Sequence, residues 1–197
     1  MNYYMFPNIS VRNRLLSKAE QYDISYETQS IYDTVWHIGI NDSIIIPYRV
    51  GRNEINPECS GIQPFNLDDK LAYLCYLSRN QSGYVRYNAI DELLNLVNNQ
   101  IWVYPYILKL CDEYVIKILE RIYTSLPKIL NQQFVDVICL NMNNIRKGYV
   151  RMISYWNAYY RKDIPDIENY VGYKMYKLLI DTSHTVRYLS NTDLFLL

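Results

Sequence analysis

The chain is poor in backbone breakers, with 6 glycines and 7 prolines in 197 residues. That is too few for a β-sandwich, which needs turn signals about every 8–12 residues. It has no excess of either charge: 20 Lys+Arg balance 20 Asp+Glu, which excludes a uniformly basic or acidic protein. No stretch approaches the roughly 18 uninterrupted apolar residues of a membrane helix. The richest, Ile101 to Leu110, is interrupted by Pro105 and Lys109. The opening Met1-Asn-Tyr-Tyr-Met-Phe-Pro7 lacks a basic stretch followed by an apolar one. No secretory signal is therefore expected, and the glycosylation-type triplets at Asn8, Asn41 and Asn80 read as chance matches in a cytoplasmic protein. Cys59, Cys75, Cys111 and Cys139 lack the close pairing of a zinc or redox site; Cys75, Cys111 and Cys139, within apolar helical patterns, are expected as buried thiols. There is no GxGxxG, P-loop, HExxH or GxSxG motif. His37 and His184 lie far apart in the chain, and each reads as structural rather than as a general base. Neither a cofactor nor a metal is expected.

What the chain has in abundance is tyrosine, 22 residues, within a composition that is 50% hydrophobic and 20% charged. Those proportions and the 23.6 kDa mass fit a globular domain that buries about 70% of its unfolded surface. Two regimes follow one another. Residues 1–66 hold four prolines and three glycines and are expected as a small α+β segment. It comprises a helix from Ser10 to Tyr22, a hairpin of Thr34–Ile40 and Ser43–Val50 about Asn41-Asp42, and a loop from Gly51 to Asn66. Pro47 must lie on an edge or end its strand.

From Leu67 the apolar period becomes helical. Expected helices cover Asp68–Asn80, Tyr84–Val97, Ile101–Cys111, Glu113–Leu126, Gln132–Arg146, Tyr149–Arg161, Asp166–Asp181 and Thr185 to the end, joined by short turns. Gly83-Tyr-Val-Arg86 recurs as Gly148-Tyr-Val-Arg151, with echoes at Tyr114-Val-Ile-Lys117 and Val186-Arg187-Tyr188. Arg86, Lys117, Arg151 and Arg187 are thus spaced 31, 34 and 36 residues apart, the periodicity of stacked helical hairpins.

Tyr84-Val-Arg-Tyr-Asn-Ala-Ile-Asp-Glu-Leu-Leu94 resembles the second helix of a HEAT/armadillo repeat, with its Val-Arg opening, small Ala89 and paired Leu93 and Leu94. The resemblance spans about residues 67–197, with Ser154 in the place of Ala89. It implies a mainly α fold, a right-handed α-solenoid of HEAT-like hairpins on residues 67–197, packed as one unit with the segment 1–66. The final Leu194-Phe-Leu-Leu197 must fold back, cover another surface or bind a partner.

Arg86, Arg151 and Arg187 read either as a row of cations facing an acidic ligand or as internal pairs between repeats, the latter favoured by guanidinium geometry. In a solenoid the second helices line the concave side. Their polar faces give the candidate partner-binding residues Asn88, Asp91, Glu92, Asn95, Glu120, Arg121, Asn157, Tyr160 and Arg161. Residues 143–162 carry five basic side chains and no acid, interleaved with Tyr149, Tyr155, Trp156, Tyr159 and Tyr160. Such a mixture serves a protein hot spot or nucleic-acid stacking. The favoured function is a non-enzymatic protein binder, most concretely an immunity-type inhibitor that sterically blocks a toxin. The alternatives are a HEAT-like nucleic-acid module, or a DNA glycosylase drawing on Tyr155, Trp156 and Asp163, and a scaffold or viral accessory protein.

Overall fold

The structure, a computed structural model, describes residues 34–50, 66–97 and 100–193, with side chains as far as His184. It is mainly helical, with one small two-stranded antiparallel sheet among the described residues. The expected helix at Ser10–Tyr22, the loop from Gly51, the side chains of Val186-Arg187-Tyr188 and the final Leu194–Leu197 lie outside the described residues. The chain divides into two compact units, residues 1–107 and 108–197.

In the first unit, β1 (Thr34–His37) pairs with β2 (Ser43–Ile46), setting Trp36 opposite Ile44. Burial alternates with the pleat: Trp36, Ile44 and Ile46 point in, while Val35 and His37 point out. The link is longer than the expected Asn41-Asp42 turn. It runs from Ile38 to Asp42, where the Asp42 carbonyl accepts from the N–H groups of Ile38 (2.9 Å) and Gly39 (3.3 Å). β2 stops at Ile46, just before Pro47, which has no N–H to give a ladder.

Helix α1 (Leu67–Leu77) starts at Asn66, whose side chain accepts from the Asp69 N–H at 2.9 Å. Asp68 and Asp69 add negative charge to that first turn. Helix α2 (Gly83–Leu96) begins at the expected Gln81-Ser82-Gly83 turn and packs on α1. Leu71, Leu74 and Cys75 of α1 and Val85, Ala89, Ile90 and Leu93 of α2 are buried, the helical stripe read from the sequence. The strand exit is tied to this pair by Arg79. Its Nε donates to the Pro47 carbonyl (3.0 Å) and its Nη2 to that of Tyr48 (2.6 Å). Its own carbonyl accepts from the Val50 N–H at 2.9 Å.

Helix α3 (Tyr104–Lys109) is flanked by single 3-10 turns at Ile101–Val103 and Leu110–Asp112, in place of the one helix expected there. In the second unit, α4 (Ile116–Ile129), α5 (Gln132–Leu140), α6 (Met142–Tyr155) and α7 (Val171–Asp193) follow. Helix α7 packs against α4, α5 and α6, and Ile118, Ile122, Phe134, Ile138, Met152, Met175 and Leu179 are buried.

Helices α4 and α7 start at Ile116 and Val171, later than the expected Glu113 and Asp166, and three further boundaries differ from expectation. Helix α4 runs past Leu126 through Pro127 to Ile129, because a proline in the last turn removes a single bond on an exposed side. The break expected near Gly148 falls at Asn141 instead. There the buried Asn141 side chain donates to the Val137 carbonyl (2.8 Å) and competes with the helical ladder. Finally, Asp181-Thr-Ser-His184 does not end a helix. The hydroxyls of Thr182 and Ser183 bond back to the carbonyls of Leu178 (2.8 Å) and Ile180 (2.8 Å), and α7 continues to Asp193.

Candidate functional site

Helix α6 does not end in a normal cap. Its last turn widens into a π-helical segment, Trp156–Tyr160, in which the Arg161 N–H reaches back five residues to the Trp156 carbonyl at 2.8 Å. Such bulges occur frequently at functional sites, and here one organises an aromatic surface. The buried Trp156 anchors it, donating its indole N–H to the Ile164 carbonyl (2.9 Å). The Arg161 guanidinium lies over the Trp156 ring at 5.6 Å.

Tyr160 turns inward. Its hydroxyl donates to the Tyr114 carbonyl (2.5 Å) and accepts from the Ile116 N–H (3.2 Å), fastening the start of α4 to the end of α6. Its ring stacks on the buried Tyr170 at 5.4 Å. Burial, and then the neighbouring Tyr160, raise the Tyr170 hydroxyl well above the ordinary tyrosine range. On the outer side Tyr114, Tyr155 and Tyr159 form a triad. Their centroids lie 6.0 Å apart (Tyr114–Tyr155), 6.0 Å (Tyr114–Tyr159) and 6.2 Å (Tyr155–Tyr159), in edge-on or tilted geometry. Tyr114 is 42% and Tyr159 60% exposed, so the triad faces water instead of closing a core.

Asn88, Asp91, Glu92 and Asn95 lie on α2 in the first unit. Glu92 is paired with Lys70 of α1 (2.5 Å), and Asn95 is exposed. Glu120 and Arg121 lie on α4 in the second unit; Glu120 is exposed, and Arg121 donates to the Ser125 hydroxyl at 2.6 Å. Asn157 is exposed and accepts from Arg161 (3.2 Å). Within the second unit the structure thus groups Asn157, Tyr160 and Arg161 on one turn. Tyr160 has both lone pair and proton committed internally.

The recurrent arginines are paired from within. Arg86 is fully buried, and its Nη1 donates to the carbonyls of Asn80 (2.9 Å) and Gln81 (2.8 Å), just before its own helix. Arg151 donates from Nε to Asp112 Oδ2 (2.6 Å), and its Nη2 is ion-paired with the same oxygen. Arg151 thus meets a residue of the preceding expected hairpin, as the internal-pair reading has it, whereas Arg86 pairs within its own hairpin and not between repeats. Gly148 is not a turn but a notch in α6: a Cβ there would overlap the hydroxyl of the buried Tyr176. Sequence reasoning omitted Tyr114 and Val150 from the site, and named Tyr159 only within the aromatic and basic stretch 143–162 and not among the candidate partner-binding residues. The i, i+4 spacing of Tyr155 and Tyr159 inside an acid-free stretch is the signal that sets these two side by side.

No protein family, curated protein or solved structure matches this chain. Among the described residues no group of three His, Cys, Asp or Glu side chains could hold a metal ion, and no helix is long and apolar enough to cross a membrane. Burial pushes the Cys75 and Cys111 thiols far up, the latter helped by Asp112, so neither is a ready nucleophile. His37 and His184 are exposed. Of the three residues drawn into a glycosylase reading, Trp156 is committed to Ile164, Tyr155 packs in the triad, and Asp163 is exposed on the following turn. Among the described residues the surface at the end of α6 thus sets an exposed aromatic cluster beside the cations Arg161 and Lys162.

Proposed function

We propose that the chain is a non-enzymatic protein-binding module, and most concretely an inhibitor of the immunity type that covers a toxin's working surface. The observation that carries this reading is the exposed Tyr114–Tyr155–Tyr159 triad. Tyrosines supply large contact area at small entropic cost, and they are enriched where a few residues dominate binding. Mutual packing holds these three in place before a partner arrives, which reduces the ordering cost of association. An interface of about 800 Å² per side centred on them would suffice. Cytoplasmic residence belongs to this reading and is supported by the free thiols of Cys75, Cys111 and Cys139.

The test pairs this protein with the product of the gene beside its own. Growth arrest by that product alone, relieved by co-expression of this chain but not of its Tyr114→Ala/Tyr159→Ala variant, is the expected result. A neighbouring product that is harmless, or that does not bind, overturns the inhibitor assignment.

HEAT-like stacking is the finer architectural part of the proposal, and the α1–α2 hairpin with its Val85-Arg86 opening supports it. Packing of α7 across α4, α5 and α6 fits equally a closed bundle. Spin labels at the equivalent positions Glu92 and Asn157 distinguish the two. A solenoid puts them two layers apart, about 20 Å at the usual interhelical spacing; a markedly different distance sinks the stacking.

A further inference from the structure

The outer face of α6 and its π-helical extension is one continuous stripe. Asn143, Arg146, Lys147, Val150, Ser154, Asn157 and Arg161 are exposed or outward-facing at helical spacing, and Lys162 follows at the tip. From 143 to 162 there is no acidic residue. Arg151, the cation on the inner side, is neutralised by Asp112. By contrast, among the described residues none of Arg146, Lys147, Arg161 and Lys162 has a carboxylate partner. Between the two basic ends Val150 stands 64% exposed, and the tyrosine triad flanks the C-terminal end. From Arg146 to Arg161 the stripe extends about 20 Å at 1.5 Å per residue.

We infer that this stripe docks an acidic protein segment: carboxylates before and after an apolar anchor, the anchor over Val150 and the carboxylates on Arg146 and Lys147 at one end and Arg161 and Lys162 at the other. The inference rests on the protein-binding reading above and names the partner's chemistry. Charge complementarity decides for an acidic occupant, since a row of cations without carboxylate partners disfavours a basic segment and steers an acidic one into register. Nucleic acid fits less well. Four cations over that length are few for a phosphate-driven affinity. The triad's rings also lean edge-on and tilted toward each other instead of offering parallel platforms for bases. A peptide can also set an apolar side chain against the exposed Val150, which a phosphate backbone cannot.

A library of random 16-residue peptides panned on the full-length protein supplies the probe. Each enriched peptide is then measured by fluorescence anisotropy against the wild type, Arg146→Glu/Lys147→Glu, Tyr159→Ala, and the control Lys174→Glu/Lys177→Glu on the exposed side of α7. Exposed charge reversals of this kind leave stability nearly unchanged. The expected result is enrichment of net-negative peptides whose binding weakens at least about tenfold in the α6 variant and little in the control, and weakens further as salt rises. Enriched peptides without acidic bias that depend on Tyr159 but not on Arg146 and Lys147 overturn the acidic-partner inference and leave the protein-binding reading standing. No enrichment, with or without tight binding of a 16-base-pair DNA duplex, overturns both. A concentration-dependent dimer in sedimentation that disappears in the α6 variant overturns the inference in favour of a second copy.

Discussion

A buried guanidinium is a demanding object to fold around, and the described residues contain two. Arg79 and Arg86 are 1% and 0% exposed, and the contacts described above for both are to main-chain carbonyls. A planar fork with five N–H groups can bridge two carbonyls at once, which an ammonium on a flexible stem does less well. Arg86→Lys is therefore expected to destabilise by about 2–3 kcal/mol, the scale of lost hydrogen bonds to a charged donor. A urea midpoint unchanged from the wild type would show those carbonyls to be satisfied otherwise. Gly148 gives a sharper test of packing. Gly148→Ala gains about 1 kcal/mol of helix propensity but forces the buried Tyr176 hydroxyl aside, an overpacking cost of about 1–3 kcal/mol. Net destabilisation is expected, and Tyr176→Phe, which deletes the clashing atom, should turn the same glycine replacement neutral or stabilising. If the double-mutant cycle shows no coupling, the two helices do not meet there as described.

At the scale of elements, positions with one strong local cause were legible and positions with competing causes were not. Helix α1 was readable because acidic residues, a polar cap and a helical apolar stripe agree at Asn66–Leu77, and α2 because its apolar stripe follows the Gln81-Ser82-Gly83 turn. Gly148 was misread because a glycine signals a turn or a close approach with equal force in sequence, and only the position of Tyr176 decides. Asn141 was missed because an asparagine breaks a helix only if its side chain turns back on the backbone. Thr182 and Ser183 illustrate the converse, resembling a turn while bonding along the helix. The site was half legible: the acid-free, tyrosine-bearing stretch 143–162 was visible in composition, whereas the π turn that commits Tyr160 to Tyr114 and Ile116 was not. One local cause can be checked directly. Asn131 caps α5 by accepting from the Phe134 N–H at 2.9 Å, so Asn131→Ala should cost about 1 kcal/mol and Asn131→Asp much less. Equal losses for the two, measured by thermal denaturation, would remove the cap from the account.

For the molecule as a whole, the wealth of tyrosine ties stability to alkalinity. Most of its charge is balanced, but several groups that are neutral at pH 7 are buried where ionisation is unfavourable. Burial raises the hydroxyls of Tyr106 and Tyr176 well above their ordinary 10.0, with Cys75 adding to the effect at Tyr106 and Asp112 and Cys111 at Tyr176. Tyr170 moves the same way through burial and Tyr160, as do the thiols of Cys75 and Cys111 from their ordinary 9.0. In each case the folded state holds its proton more tightly than the unfolded chain. Below the unfolded values this contribution is fully present. As pH rises past 9 for the thiols and 10 for the tyrosines, the unfolded chain sheds protons that the folded one retains, so unfolding is favoured increasingly. The expected observation is a urea midpoint that is level from about pH 7 to about pH 8.5 and falls steeply by about pH 10.5. Tyr176→Phe should flatten part of that fall, since it removes one of the groups whose ionisation drives it. A midpoint independent of pH across that range would mean that the tyrosine hydroxyls ionise as freely in the folded protein as in the unfolded chain, and the tightly packed second unit around Tyr170 and Tyr176 would have to be abandoned along with the rigid aromatic surface built on it.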